Sequence, residues 1–561
     1  MKELAYLEIP TPDIAGVRNW LQHTWQPLSG DKVKTPDGIR VKFGLPDSEV
    51  SIFVWQLQRT TYLKVFQWGQ GNQAKQIKQQ LIPAIQAAYP PSYPAPPEVD
   101  LSQQSIFAAL ESDYPKTVHF FQKMPNGEYD LNRVYWWERR WRESVKHPQQ
   151  PQEVIFKGDT GSSKQQFDLI YIGGALGVIH AAVMALKGYK VLLVERLPFG
   201  RMNREWNISR DEFQSLINLG LFTPEEFASV IAAEYVDGFS KFFDAYNPPN
   251  LKASVLHTPT VLNVAIDAEK LLRFCGDKLR QSGGEIWDET EFIRADVTDT
   301  EVTVKLTHLP TKTSKQASAR LLIDAMGTAS PIAWQLNGGR AFDSVCPTVG
   351  AVIESGFAPE VWDKDYGDVL NSHGDISRGR QLIWELFPAG NGELTFYLFH
   401  YHQVHPDNPG SLLEMYEDFF TILPEYRRCD LEQLIWKKPT FGYIPGHFST
   451  SDRDRTVAFD RLVAIGDAAS LQSPLIFTGF GSLVRNLERL TTLLDTALQH
   501  DLLSAKHLNQ IRAYQSNISV TWLFSKGMMV PTGKTLPPQR INSMLNTFFG
   551  LLADEPPEVA D

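Results

Sequence analysis

The spacing of apolar residues changes character several times along this chain. Near the start it alternates. "EVSIFVWQLQ" and "YLKVFQW" read as paired strands around a short polar turn, within a small α+β unit over residues 1 to about 90. "AKQIKQQLIPAIQAAY" then takes helical spacing, interrupted at Pro83. "YPPSYPAPPEVD" is proline-rich and predicts an extended connector. In "VHFFQKMPNGEYDLNRVYWW" the pair Asn126-Gly127 suits a tight primed turn, which predicts a second hairpin. The polar, breaker-rich stretch 145–166 predicts a domain boundary.

From Phe167 the pattern becomes strand, helix, strand: "FDLIYIG", "GVIHAAVMALKGY" and "KVLLVE" predict a parallel pair joined by a right-handed crossover. "SARLLIDAMG" and "RLVAIGDAA" add strands further on, and strand-like pieces between 346 and 405 interrupt the alternation with helices. The fold class is α/β, α+β overall. It comprises a Rossmann-like nucleotide-binding domain (165–345 and 435–495) and an inserted mixed β-sheet domain (346–434). An N-terminal α+β extension (1–150) precedes them and C-terminal helices (496–561) follow.

Composition narrows the function. The chain has 561 residues, 43% hydrophobic and 21% charged, enough for two or three domains of ordinary globular make-up. A net charge of −11 argues against nucleic acid as a partner, because phosphate contact needs clustered Lys and Arg. The three cysteines show no C-x-x-C spacing, so neither a disulfide framework nor a zinc site is expected, and a reducing compartment fits best. No run of about 18 apolar residues predicts a membrane-spanning helix.

Three motifs carry chemistry. In "DLIYIGGALGVIHAA" the glycines Gly173, Gly174 and Gly177 depart from G-x-G-x-x-G, and Glu195 follows 22 residues after Gly173, close to the usual spacing of a ribose-binding acid. Glycine lets backbone approach a pyrophosphate, and a helix N-terminus offers it free N–H donors. Asp324 and Gly327 in "LLIDAMGTASPI" form a second motif. Gly466-Asp467, Pro474 and Gly479-x-Gly481 form the third. Arg196, Arg201, Arg204 and Arg210 crowd after the second strand, where Arg196 or Arg201 would reach the pyrophosphate. Ser209-x-x-Glu212 predicts a capped helix from Arg210.

The second and third motifs resemble those of flavoproteins of the aromatic-hydroxylase and lycopene-cyclase superfamily, which implies FAD rather than NAD. "GGALG", "REWNISR", "LLIDAMG" and "GFGSL" together look like the CruA/CruP-type lycopene cyclases of photosynthetic bacteria, over roughly residues 165 to 530, with the N-terminal extension resembling the CruA branch. That family carries the same shortened glycine turn. The resemblance implies non-covalent FAD, reduced for activity, and redox-neutral closure of lycopene into γ-carotene and β-carotene. It makes the inserted sheet the substrate side. It implies carotenoid partners, with chlorophyll or another phytyl-tailed pigment as a further candidate, and a peripheral place on the cytoplasmic side of a thylakoid or plasma membrane.

Such chemistry needs an acid beside an apolar olefin. The plant-type cyclases carry it in a Phe-Leu-Glu-Glu-Thr string, which is absent here. Glu385, between Trp384 and Leu386 in "RQLIWELFPAG", is the candidate, unless alternation turns it to water on a half-exposed sheet. Glu354 in "AVIESGF" is the runner-up. His400 stands where the other cyclases keep their acid and is a candidate proton relay. With His402 and His405 it forms H-x-H-x-x-H, but no metal is expected. "WWERRW" (136–141) and the stripe Leu545, Phe548, Phe549 and Leu552 suit either a membrane boundary or a core. Two other functions share these features: a flavin-dependent isoprenoid reductase of the geranylgeranyl type, and a non-catalytic carotenoid- or chlorophyll-binding paralogue.

Overall fold

The computed structural model describes all residues except 45–47, 159–165, 203–205, 362, 448–453, 470–478, 512–516 and 557–561. The first ninety residues form a five-stranded antiparallel sheet. In it Glu49–Leu57 pairs with Thr60–Trp68 through a two-residue turn, as their alternation predicts. The helix Gln73–Ala88 covers this sheet and runs straight through Pro83, contrary to the predicted interruption. Pro83 lies on the exposed side, while Ala74, Ile77, Leu81 and Ile85 form a continuous buried stripe that holds the helix together.

The predicted hairpin at Asn126-Gly127 is two helices instead, Pro115–Gln122 and Gly127–Lys146. Leu131, Val134, Tyr135, Glu138 and Arg142 are all buried, and this spacing is helical. Gly127 serves close packing: a Cβ there would lie 1.6 Å from Phe121 O. "WWERRW" therefore lies on a helix, not at a strand end. Trp136 and Trp137 face outward, while Trp141 stacks on Tyr443 at 4.9 Å and donates to Pro409 O at 2.6 Å.

The Rossmann-like part is a nine-stranded sheet. Glu285–Trp287, Val191–Val194, Phe167–Ile172, the end of Thr313–Asp324 and Leu462–Ala464 lie parallel in that spatial order. Helices Leu176–Leu186, Ala268–Gln281 and Gly479–Gln499 contribute to the core on one face. An eight-stranded second sheet includes Asp237–Lys241, Tyr366–Asn371, Ile383–Pro388, Leu394–Phe399, Ser344–Ser355 and Ile435–Gly446. It thus extends beyond 346–434 at both ends. One face packs on helix Leu412–Arg427 and on the helices of 106–146. The other packs on the C-terminal helices Asn517–Met528 and Arg540–Ala553. Every described strand residue from Ile383 to Pro388 is buried, so neither face of this strand meets water.

Candidate functional site

The three motifs come together at one edge. Phe167–Ile172, Thr313–Asp324 and Leu462–Ala464 lie side by side and parallel, with Asp324 level with both Ile172 and Ala464. Ala325 N donates to Ile172 O at 2.8 Å, and Ile465 N donates to Asp324 O at 2.9 Å. The loops after all three strands therefore emerge at the carboxyl end of the sheet, where open α/β sheets bind ligands.

The glycine turn is built by exclusion. Gly173 has φ of +109°, and a Cβ there would meet Ala325 O at 2.3 Å. A Cβ on Gly177 would lie 3.0 Å from that of Ala325. The helix Leu176–Leu186 has Ala175 at its N-cap and no side chain capping it; Val178 N donates to Ala175 O at 3.3 Å, and the N–H groups of Leu176 and Gly177 have no partner among the described residues. Glu195 holds the turn: its carboxylate accepts from Gly174 N at 2.6 Å and from Leu197 N at 2.9 Å. A side-chain-free turn, an uncapped helix and an acid at its mouth fit a dinucleotide.

The other expected ligands divide. Asp324 is fully buried and its carboxylate is spent on Met326 N, at 3.0 Å, and on Ser330 Oγ, at 2.5 Å. Burial raises it to about 6. It shapes the turn that carries Gly327, and Ser330 is a contributor that the sequence motif alone did not single out. Gly466, with φ of +58°, and Asp467 form a short turn, and Asp467 shares a small cleft with Gly327 and Ser330. Gly479 and Gly481 open the helix Gly479–Gln499. A Cβ on Gly481 would lie 2.6 Å from Glu212 Oε1, so this glycine seats the capping box Ser209–Glu212. Arg196 is mostly exposed and ion-paired with Glu291 at 3.0 Å, Arg201 is exposed, and Arg210 holds Glu234 through two bonds of 2.5 and 2.6 Å. Pro474 and Arg204 lie outside the described residues.

The acids resolve by face. Glu385 is 5% exposed, and no hydrogen bond or ion pair joins it to any described residue. Its strand neighbours Trp384 and Leu386 point to helix Leu412–Arg427, while Ile383 and Phe387 point to the C-terminal helices. Alternation does turn Glu385 away from Trp384, into an apolar cluster rather than water. Tyr235, Cys346 and Tyr401 are near enough to feel its charge. Desolvation by burial holds its carboxyl well above the usual range, so it keeps a proton that an exposed glutamate loses. Glu354 is exposed at the end of its strand and lacks the apolar surroundings the role demands. His400 is buried but packs on the opposite face, stacked on His402 at 5.1 Å. The sheet thus stands between His400 and Glu385. Among the described residues no group of three His, Cys, Asp or Glu can hold a metal ion.

No protein-family model matches the chain, and no curated protein matches its sequence. Solved structures do match in fold. One is a geranylgeranyl bacteriochlorophyll reductase-like protein from Thermoplasma acidophilum, with TM-score 0.51 and 17% identity over 70% of this chain and 91% of that one. Another is p-nitrophenol 4-monooxygenase PnpA from Pseudomonas putida DLL-E4, with TM-score 0.50 and 15% identity over 73% and 96%. A third is CmlS, a flavin-dependent halogenase, with TM-score 0.50 and 14% identity over 70% and 72%. The fold is that of Rossmann-like flavoproteins. At these identities the likeness concerns the fold alone, and nothing in it singles out the CruA/CruP type.

Proposed function

We propose that this protein is a FAD-dependent lycopene cyclase that closes lycopene ends into β-ionone rings by acid catalysis, without net redox change. Glu385 carries the reading: it is a buried carboxylic acid that faces an apolar cluster and has no hydrogen-bond or ion-pair partner among the described residues, and an unpaired buried acid costs stability. Its proton passes to carbon 2 of the lycopene end, leaving a cation at carbon 1. The carbon 5–6 double bond attacks that cation and closes the ring. The Glu385 carboxylate so formed takes the proton of carbon 6, which forms the β-ring and restores the acid. The glycine turn and helix Leu176–Leu186 would hold the FAD pyrophosphate, Glu195 the ribose, and Asp467 the ribityl chain. Reduced flavin, when bound, supplies electron density that favours a nearby cation.

The substrate class brings a membrane with it. No helix among the described residues is long and apolar enough to cross one. Leu523 and Leu551, 60% and 64% exposed on the two C-terminal helices, are the surface we assign to a peripheral contact on the cytoplasmic side. Of the stripe, Leu545 is buried, while Phe548 and Phe549 are half-buried against Phe524 and Phe242.

Likeness in fold to the geranylgeranyl bacteriochlorophyll reductase-like protein favours one second reading, an isoprenoid reductase in which Glu385 protonates a chain that flavin reduces. Expression in a lycopene-accumulating bacterium separates them. β-Carotene without net use of reductant supports the cyclase. Consumption of reductant with a saturated product supports the reductase. Unchanged lycopene that co-purifies with the protein identifies a pigment carrier and overturns both.

A further inference from the structure

The face of the second sheet that bears His400 leads to a separate chamber. Between the N-terminal sheet, the proline-rich connector and the start of helix Leu412–Arg427 lies a cavity of about 460 Å³, within the range of small-molecule sites. Tyr89, Pro90, Pro91 and Val530 give it an apolar wall.

The rest of the wall is cationic. Arg59, Arg142, Arg378, Arg380 and Lys534 line it. Glu8 and Glu414 line it as well, and Asp418 and Glu138 pair with the arginines from behind. One positive charge is left over even with every carboxylate ionised. Burial pushes Glu8 up to about 8, which widens the excess at neutral pH. Several donors are unspent. Arg142 gives Nε to Glu138 and Nη2 to Pro94 O; Arg380 gives Nη2 to Asp418 and Nε to Ser377 O. Among the described residues, neither Nη1 nor the Lys534 ammonium has a partner.

One acceptor is unspent too. His402 is 3% exposed and gives its Nδ1 proton to Gln403 O at 2.8 Å, which leaves Nε2 as a buried lone pair with no donor. A Cβ on Gly410 would come within 2.5 Å of that nitrogen, so glycine is what fits against it.

We propose that this cavity binds a small organic carboxylate, its oxyanion among Arg142, Arg380 and Lys534 and its apolar body on the prolines. A carboxylate fits because its two oxygens match a guanidinium fork. The site lies across the sheet from Glu385 and does not depend on the cyclase reading.

Titration calorimetry and thermal shift on the full, flavin-loaded protein test it, with 4-hydroxyphenylacetate as probe. Saturable one-to-one binding is expected. The neutral methyl ester should bind about tenfold more weakly or worse. Lys534→Glu, on the exposed rim, should melt like the parent and lose about tenfold in affinity. Glu385→Gln should bind the probe as the parent does. Equal binding of acid and ester, unchanged affinity in Lys534→Glu, or no saturable binding at millimolar probe would each overturn the proposal. Tighter binding of phenyl phosphate would replace it with a phosphate site.

Discussion

Glu385 shows how one side chain acquires a task from its surroundings. Its carboxyl is chemically ordinary, and burial holds it well above the usual carboxylate range. On the proposed cyclase reading, replacing it with glutamine should leave flavin bound and lower cyclisation by about 10²-fold or more, within the range attributed to general acids, as measured by carotenoid chromatography beside flavin absorbance. The pH sign follows. Its folded pKa is raised above the unfolded value, so its contribution is fully present at low pH and is lost as pH rises through the folded value. On going alkaline, the parent protein should lose more melting temperature than the Glu385→Gln variant does. Activity should fall over the same rise. At the glycine turn, Glu195→Ala removes the acceptor for Gly174 N and Leu197 N and should weaken flavin retention without unfolding the protein, seen as loss of yellow colour on gel filtration. A variant that stays fully yellow would remove Glu195 from the site.

At the scale of elements, local signals succeeded where the physics was local. Ser209 accepts from Glu212 N at 3.0 Å and Glu212 accepts from Ser209 N at 3.1 Å, so both halves of the capping box are present. Ser209→Ala should cost about 1 kcal/mol, read as a lower midpoint in a urea melt. The strand–helix–strand unit at 167–194 was equally legible, because apolar runs of strand length flank small-residue helical spacing. The Asn126-Gly127 reading failed for a specific reason. The dipeptide is a good turn signal, but the buried positions beyond it keep helical spacing, and the glycine is needed by Phe121 O across the junction. Pro83 failed likewise, since a buried stripe outweighs one missing hydrogen bond on an exposed face.

At the scale of the molecule, the N-terminal sheet is fastened to the second sheet by charge. Arg59, Arg378 and Arg380 converge on Asp418, at 2.9 Å, 2.6 Å and closer, and Arg59 and Arg378 also reach Glu414. Tyr6 adds a 2.6 Å bond to Asp375, and Tyr62 one to Ile376 O. The arginines hold the Asp418 carboxyl far below the usual carboxylate value, despite its burial. Its stabilising effect is therefore present above the unfolded value near 3.8 and is lost as pH falls toward the folded one. Asp418→Asn should cost about 3–5 kcal/mol, because it leaves buried guanidinium groups unpaired. It should also flatten the acid limb of a stability curve taken below pH 4. No short motif announces this network, since Arg59 lies 359 residues from Asp418 and Arg378 and Arg380 lie 40 and 38 residues from it. "SRGR" at 377–380 was the one local hint, two arginines beside an otherwise apolar strand.

The sequence by itself determined the periodic elements, the capped helix, the glycine turn and the order of three nucleotide-binding motifs, because these rest on contacts between near neighbours in the chain. Only the tertiary structure decided that those motifs meet at one sheet edge, that helices of 106–146 share a core with the second sheet, and that Glu385 and His400 stand on opposite sides of it. Whether an alternating strand turns its polar residue to water or to apolar neighbours depends on what covers each face. Here the covering helices come from both distant ends of the chain.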